Sequence, residues 1–135
     1  MSKRLQYISS IVFGAGVFLF WWLLHPGVLG FQEQNQLFLF TWDFFVERMS
    51  VSGGLADYIA EFITQFSYIP LLGEVLTAIL FVLFQRSVAL SLDRDEWYAL
   101  SFVAPVMMLV YMSDFYVMLS YLVALIIAVL LCVLY

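Results

Sequence analysis

Apolar positions in this chain come in long runs rather than in the alternation of a half-buried strand. They cover roughly Tyr7 to Leu24, about Pro70 to Phe84 with an extension to Arg86, Trp97 to Met112, and Phe115 to Tyr135. A hydrocarbon core of about 30 Å takes roughly 20 helical residues at about 1.5 Å each, so each run is read as a membrane span. Pro26, Gly27 and Gly30 stop the first span, and Pro70 suits the first turn of the second. Little more than Ser113 and Asp114 separates the last two. One unbroken helix from Trp97 to Tyr135 would be about 58 Å long, nearly twice the hydrocarbon thickness, so a tight hairpin is expected.

The segment from 26 to 69 is too long for a simple connector and carries helical patterns of its own. Leu55, Ile59, Phe62 and Phe66 share one face, with Asp57, Glu61, Thr64 and Gln65 across from them, as in a helix lying on the membrane surface with its apolar face down. A rougher stripe of Phe38, Trp42, Phe45 and Met49 opposes Glu33, Gln36, Asp43 and Glu47. Ser52, Gly53 and Gly54 supply a turn between the two patterns. The expected fold class is an all-α membrane protein: a single domain of four transmembrane helices, with one or two amphipathic interfacial helices in the first extracytoplasmic loop. Trp21, Trp22, Trp42, Phe62 and Phe66 are the expected lipid or interface contacts. Ser10 and Gly14 form a small-residue pair that lets another helix approach closely.

Composition strengthens this picture. Apolar residues make up 65% and charged residues 11%, with a mean hydropathy of +1.03, whereas soluble domains carry about a quarter charged residues. Basic residues set the orientation. Lys3 and Arg4 precede the first span and Arg86 and Arg94 follow the second, against Arg48 alone in the first loop, so the N-terminus is expected in the cytoplasm. A net charge of −5 and scattered cations exclude a nucleic-acid partner. Cys132 stands alone, leaving no intramolecular disulfide. The first run is longer than a usual signal-peptide core and has no small-residue cleavage site, so it is read as a retained span.

Acids are the candidate chemistry. Glu33, Asp43 and Asp114 are the candidate catalytic residues. Asp114 either lines a water-filled dip or meets a partner, or is an ordinary polar turn residue, while Glu33, Asp43 and Glu47 suit a general base or a hard divalent cation. The same residues equally suit the solvated face of a surface helix. Glu74 is either a costly intramembrane acid or an interfacial one, and His25 either a proton carrier or a polar residue at a span end. No nucleotide-binding glycine loop, zinc motif or nucleophile elbow is present.

The stretch from Phe31 to Phe38, followed by Thr41 to Phe45 and Gly53 to Tyr58, resembles the N-terminal part of a family of uncharacterised polytopic inner-membrane proteins from Bacteroidetes, over about the first ninety residues. That resemblance implies a bacterial inner-membrane location and further spans beyond Tyr135. The chain is also loosely similar in architecture to polytopic glycosyltransferases that use lipid-linked sugars. That similarity implies a first acid, Glu33 or Asp43, acting as base, a second acid at Asp114, and in some branches a divalent cation. The fourth run ends without a polar or basic tail, again as expected of the N-terminal part of a longer protein. The leading expectation is a non-catalytic membrane module whose partners are the bilayer and further spans or subunits. The alternative is the start of such a transferase.

Overall fold

The computed structural model describes residues 2–24, 39–69, 71–114 and 117–135, and these are helical with no strand among them. His25, Pro26, Glu33, Phe38, Pro70 and Phe115 lie outside the described residues. Helix α1 spans Lys3–Leu19 and continues through a wider π turn, Phe20–Leu24. It starts four residues earlier than its apolar run because the Ser2 hydroxyl accepts the Leu5 N–H at 3.4 Å and caps the helix. Helices α2 (Trp42–Met49) and α3 (Gly54–Thr64, with a 3-10 turn Gln65–Tyr68) fill the first loop. Helix α4 spans Leu72–Leu92. A 3-10 segment, Asp95–Phe102, leads into α5, Val103–Tyr111, and α6 spans Leu119–Leu134.

Among the described residues two helices, Lys3–Leu23 and Leu72–Leu92, are long and apolar enough to cross a membrane. The second outruns the expected end at Arg86 by six residues. The polar Gln85-Arg86-Ser87 step holds no helix breaker, and the Ser87 hydroxyl bonds back to the Leu83 carbonyl at 2.7 Å. The chain leaves α4 only at Asp93, in the left-handed conformation that aspartate tolerates (φ 50°). The expected third run divides into 3-10 and α portions around Pro105. This proline sits in the first turn of α5, where its missing N–H costs no helical bond, while an α turn continuing behind it would press its ring on the Ser101 carbonyl. The fourth helix begins at Leu119, four residues later than the run suggests.

Helix α4 occupies the centre, packing against α1, α6 and the 3-10 segment, and α3 lies against α6. Phe81, Phe84, Leu119, Leu122, Met108 and Met112 fill the space between them. On α1 the packed face is Ser10, Gly14, Val17 and Trp21, recurring at helical spacing. Trp21 is therefore a core residue, fully buried rather than interfacial as its place near a span end suggested; Trp22 beside it is 46% exposed. The Ser10 and Gly14 pair performs the expected close approach.

Helix α3 departs most from the sequence pattern. It buries Ala56, Ala60 and Thr64 rather than the stripe of Leu55, Ile59, Phe62 and Phe66, and leaves Leu55 exposed. Small side chains let the backbone come close to α6, and packing contact outweighs greasiness where both sides of a helix can be apolar. Phe62 rests edge-on against Phe40 and Phe66, while Trp42 is exposed and leans on Phe45. The turn before α3 requires its glycines. Gly53 has φ 76°, and a Cβ on Gly54 would fall on the Arg48 carbonyl oxygen.

A Cβ at Gly14 would stand 2.7 Å from Val82 Cγ2, whereas one at Gly16 would meet nothing within 4 Å. Gly14→Ala is expected to cost about 1–3 kcal/mol by overpacking. Gly16→Ala is expected to be neutral or to stabilise by up to about 1 kcal/mol through helix propensity. Thermal unfolding of the two variants in detergent micelles checks the contrast.

Candidate functional site

The acids singled out by sequence do not gather. Asp43 is exposed in the first turn of α2, where a carboxylate favours the helix dipole, and Glu47 is exposed one turn on. Asp114 is exposed in the turn after α5, its carbonyl accepting the Val117 N–H at 3.3 Å. Glu74 is half-buried in the first turn of α4. Among the described residues no three His, Cys, Asp or Glu side chains are grouped to hold a metal ion.

What the fold does bring together is a set of uncharged polar residues from three elements. Gln85 of α4 is fully buried between α1 and the 3-10 segment. Its Oε1 accepts from the Ser10 hydroxyl at 2.8 Å, and its Nε2 donates to the Ser101 hydroxyl at 2.7 Å, which in turn donates to the Tyr98 carbonyl at 2.6 Å. That last bond fixes which way round the amide lies, because Ser101 has one proton and has already given it away. The Tyr98 hydroxyl donates to the Gln6 carbonyl at 2.8 Å and lies 3.0 and 3.1 Å from the Ser9 and Ser10 hydroxyls. The 3-10 winding contributes directly, since residues three apart eclipse and Tyr98 and Ser101 therefore face α4 together.

A second cluster joins the loop helices. Arg48 Nη2 lies 2.8 Å from Glu61 Oε1, pairing α2 with α3, and the guanidinium sits over the Phe44 ring at 5.1 Å. Glu61 was expected on the solvated face; it is buried because α3 turns its polar side toward Arg48. Burial pushes its carboxyl above the ordinary value of 4.5, with Arg48 opposing and Asp57 adding to the rise. The signal in the sequence was weak. A lone Arg48 among loop acids admits several partners, and Ser9, Ser10, Gln85, Tyr98 and Ser101 belong to no motif.

A carboxyl raised in the folded state is ionised at a cost that is absent below the ordinary value of 4.5, builds as pH rises through it and is complete above the folded value. Acidifying from neutral pH is therefore expected to relieve the strain at Glu61, and Glu61→Gln to flatten that part of a Tm against pH curve. Arg48→Met, which strands the buried carboxylate, is expected to lower stability at neutral pH more than Glu61→Gln does. In the other cluster, Gln85→Leu removes one buried partner each from Ser10 and Ser101 and is expected to cost about 1–2 kcal/mol, read by unfolding in micelles.

No curated protein and no solved structure matches the chain. The sequence profile of a family of unknown function, DUF6057, matches residues 2–135, nearly the whole length, and the chain belongs to that family.

Proposed function

We propose that this chain is a multi-pass module of a bacterial inner membrane, with four crossings and a cytoplasmic N-terminus, serving as a non-catalytic scaffold or subunit for further membrane helices. The observation that carries this reading is an outer surface as apolar as the interior, together with polar side chains buried among the helices. Gln85, Ser101 and Thr77 are at most 1% exposed, while Ile11, Val12, Met107 and Val110 are 65–69% exposed. Water is a poor solvent for such a surface and lipid a good one. Gln85 bonds α4 to Ser10 of α1 and to Ser101 of the 3-10 segment, which is the chemistry of a fastener, while the Thr77 hydroxyl bonds back to the Gly73 carbonyl within α4. Asp43 and Asp114 stand exposed on separate elements.

Length supports the third crossing. From Asp95 to Tyr111 there are 17 residues, eight rising about 2.0 Å each and nine about 1.5 Å, together about 30 Å. A 3-10 segment thus reaches as far as a longer α-helix. Helix α6 alone reaches about 24 Å, and the bilayer accommodates such short helices by thinning or snorkelling. Lys3, Arg4, Arg86 and Arg94 all lie at one end of the α1 and α4 pair, in keeping with a cytoplasmic end.

Sidedness tests the reading. With Cys132 replaced by Ala, single cysteines at Ser52, Ser91 and Ser113 are expected to react from the outside, the inside and the outside respectively, using a membrane-impermeant maleimide on intact cells and on inverted vesicles. Labelling of the Ser91 site from outside, or a chain that stays monodisperse without detergent, overturns it.

A further inference from the structure

Helices α1 and α4 run antiparallel, as the pairing of Ser10 with Gln85 and the approach of Gly14 to Val82 require. Two concavities lie along this one seam. At the end where α1 begins and α4 stops is a polar pocket of about 430 Å³, lined by Lys3, Gln6, Arg86, Asp93, Arg94 and Tyr98 among others. Farther along the same two helices is an almost wholly apolar groove of about 310 Å³, whose walls include Ile11, Gly14, Phe18, Val75, Ile79 and Val82. The two share a face. On α4 the positions 75, 79, 82, 86 and 90 recur at steps of three and four, and on α1 so do 3, 7, 11, 14 and 18.

The polar end holds three cations, Lys3, Arg86 and Arg94, against two acids, Asp93 and Asp95. Asp95 is engaged, accepting from Gln6 Nε2 at 2.9 Å, and Asp93 is exposed. None of the three cations is within ion-pair distance of a carboxylate among the described residues. Arg86 is held over the Tyr7 ring at 4.9 Å, and its Nη1 is shielded from solvent with no hydrogen-bond partner. A fixed guanidinium whose Nη1 has no partner, flanked by two unpaired cations and with an apolar groove farther along the same two helices, has the charge pattern of one class of molecule. We propose that the α1–α4 seam binds an anionic phospholipid, its phosphate at Lys3, Arg86 and Arg94 and an acyl chain along the groove past Gly14. This rests on the membrane reading above, and it would place the headgroup at the cytoplasmic surface.

The full chain purified in a neutral maltoside detergent provides the test. Its thermal unfolding is followed with added phosphatidylglycerol, phosphatidylcholine or inorganic phosphate, and native mass spectrometry counts retained lipid. Phosphatidylglycerol is expected to raise Tm more than phosphatidylcholine, with inorganic phosphate ineffective. Lys3→Gln with Arg94→Gln, both at exposed positions, is expected to weaken that preference about 25-fold, at about fivefold per cation. Arg86→Gln is expected to weaken it also, and Arg86→Lys to restore part of it. Ile79→Trp, at a half-exposed groove wall, is expected to reduce binding of either lipid by obstructing the channel. Equal stabilisation by the two lipids, no effect of the charge variants, or an unchanged response in Ile79→Trp overturns the proposal. So does inorganic phosphate matching phosphatidylglycerol, which would mark a free-anion site. A chain soluble without detergent fails the membrane reading itself, whereas an integral chain with no lipid preference fails only the lipid site.

Discussion

An amide in the middle of an apolar helix has to find partners inside the protein, and Gln85 imposes that condition on everything around it. Its two ends need one acceptor and one donor, supplied by two different neighbouring segments. Ser10 on α1 meets one and Ser101 on the 3-10 segment meets the other. Each bond fixes a register: Ser10 against Gln85 sets how far α1 slides along α4, which in turn lays Gly14 against Val82. Ser101 against Gln85 does the same for the third segment. Hydrophobic contact alone discriminates poorly among such registers where a helix is apolar all round, so a few directional bonds decide them.

The 3-10 winding belongs to the same constraint. Runs of eight 3-10 residues are uncommon because their hydrogen bonds are poorer than those of an α-helix. Here the eclipsed spacing puts Tyr98 and Ser101 on one line toward α4 and α1, where Tyr98 reaches the Gln6 carbonyl and Ser101 reaches Gln85. Pro105 limits the α-helix from the other side. The extra rise per residue lets a short segment extend as far as α1, so the same distortion serves both bonding and length.

The sequence revealed the helical class, the close-approach pair Ser10 and Gly14, and the glycine turn before α3, because each depends on local composition or spacing. It concealed which face of a helix turns inward. On α4, buried Ala78, Phe81 and Phe84 alternate with exposed Val75, Ile79 and Leu83, and both sets are apolar. A periodicity argument needs a polar and an apolar side to contrast, and α4 offers little of that contrast. The candidate site was legible to a smaller degree. Carboxylates carry chemistry, yet Asp43, Glu47 and Asp114 face outward, while the polar cluster around α4 is built from serine, glutamine and tyrosine. Those pairings, and that of Arg48 with Glu61, join residues far apart or in different helices, and nothing local announces them.

The first loop follows from the same absence of contrast. If α3 were an ordinary surface helix, its largest apolar side chains would point at the bundle and its acids at water. Instead Ala56 and Ala60 face α6, Leu55 is left outside, and Glu61 is buried against Arg48. Small residues against α6 bring the backbones close, and a helix held that closely carries its flanking acid inward as well. The carboxylate is then viable only with a cation delivered by the neighbouring helix, and the tight Gly53-Gly54 turn is what folds α2 back far enough to deliver it. The ion pair is thus a consequence of the small-residue packing, and the two glycines are the condition under which both can exist.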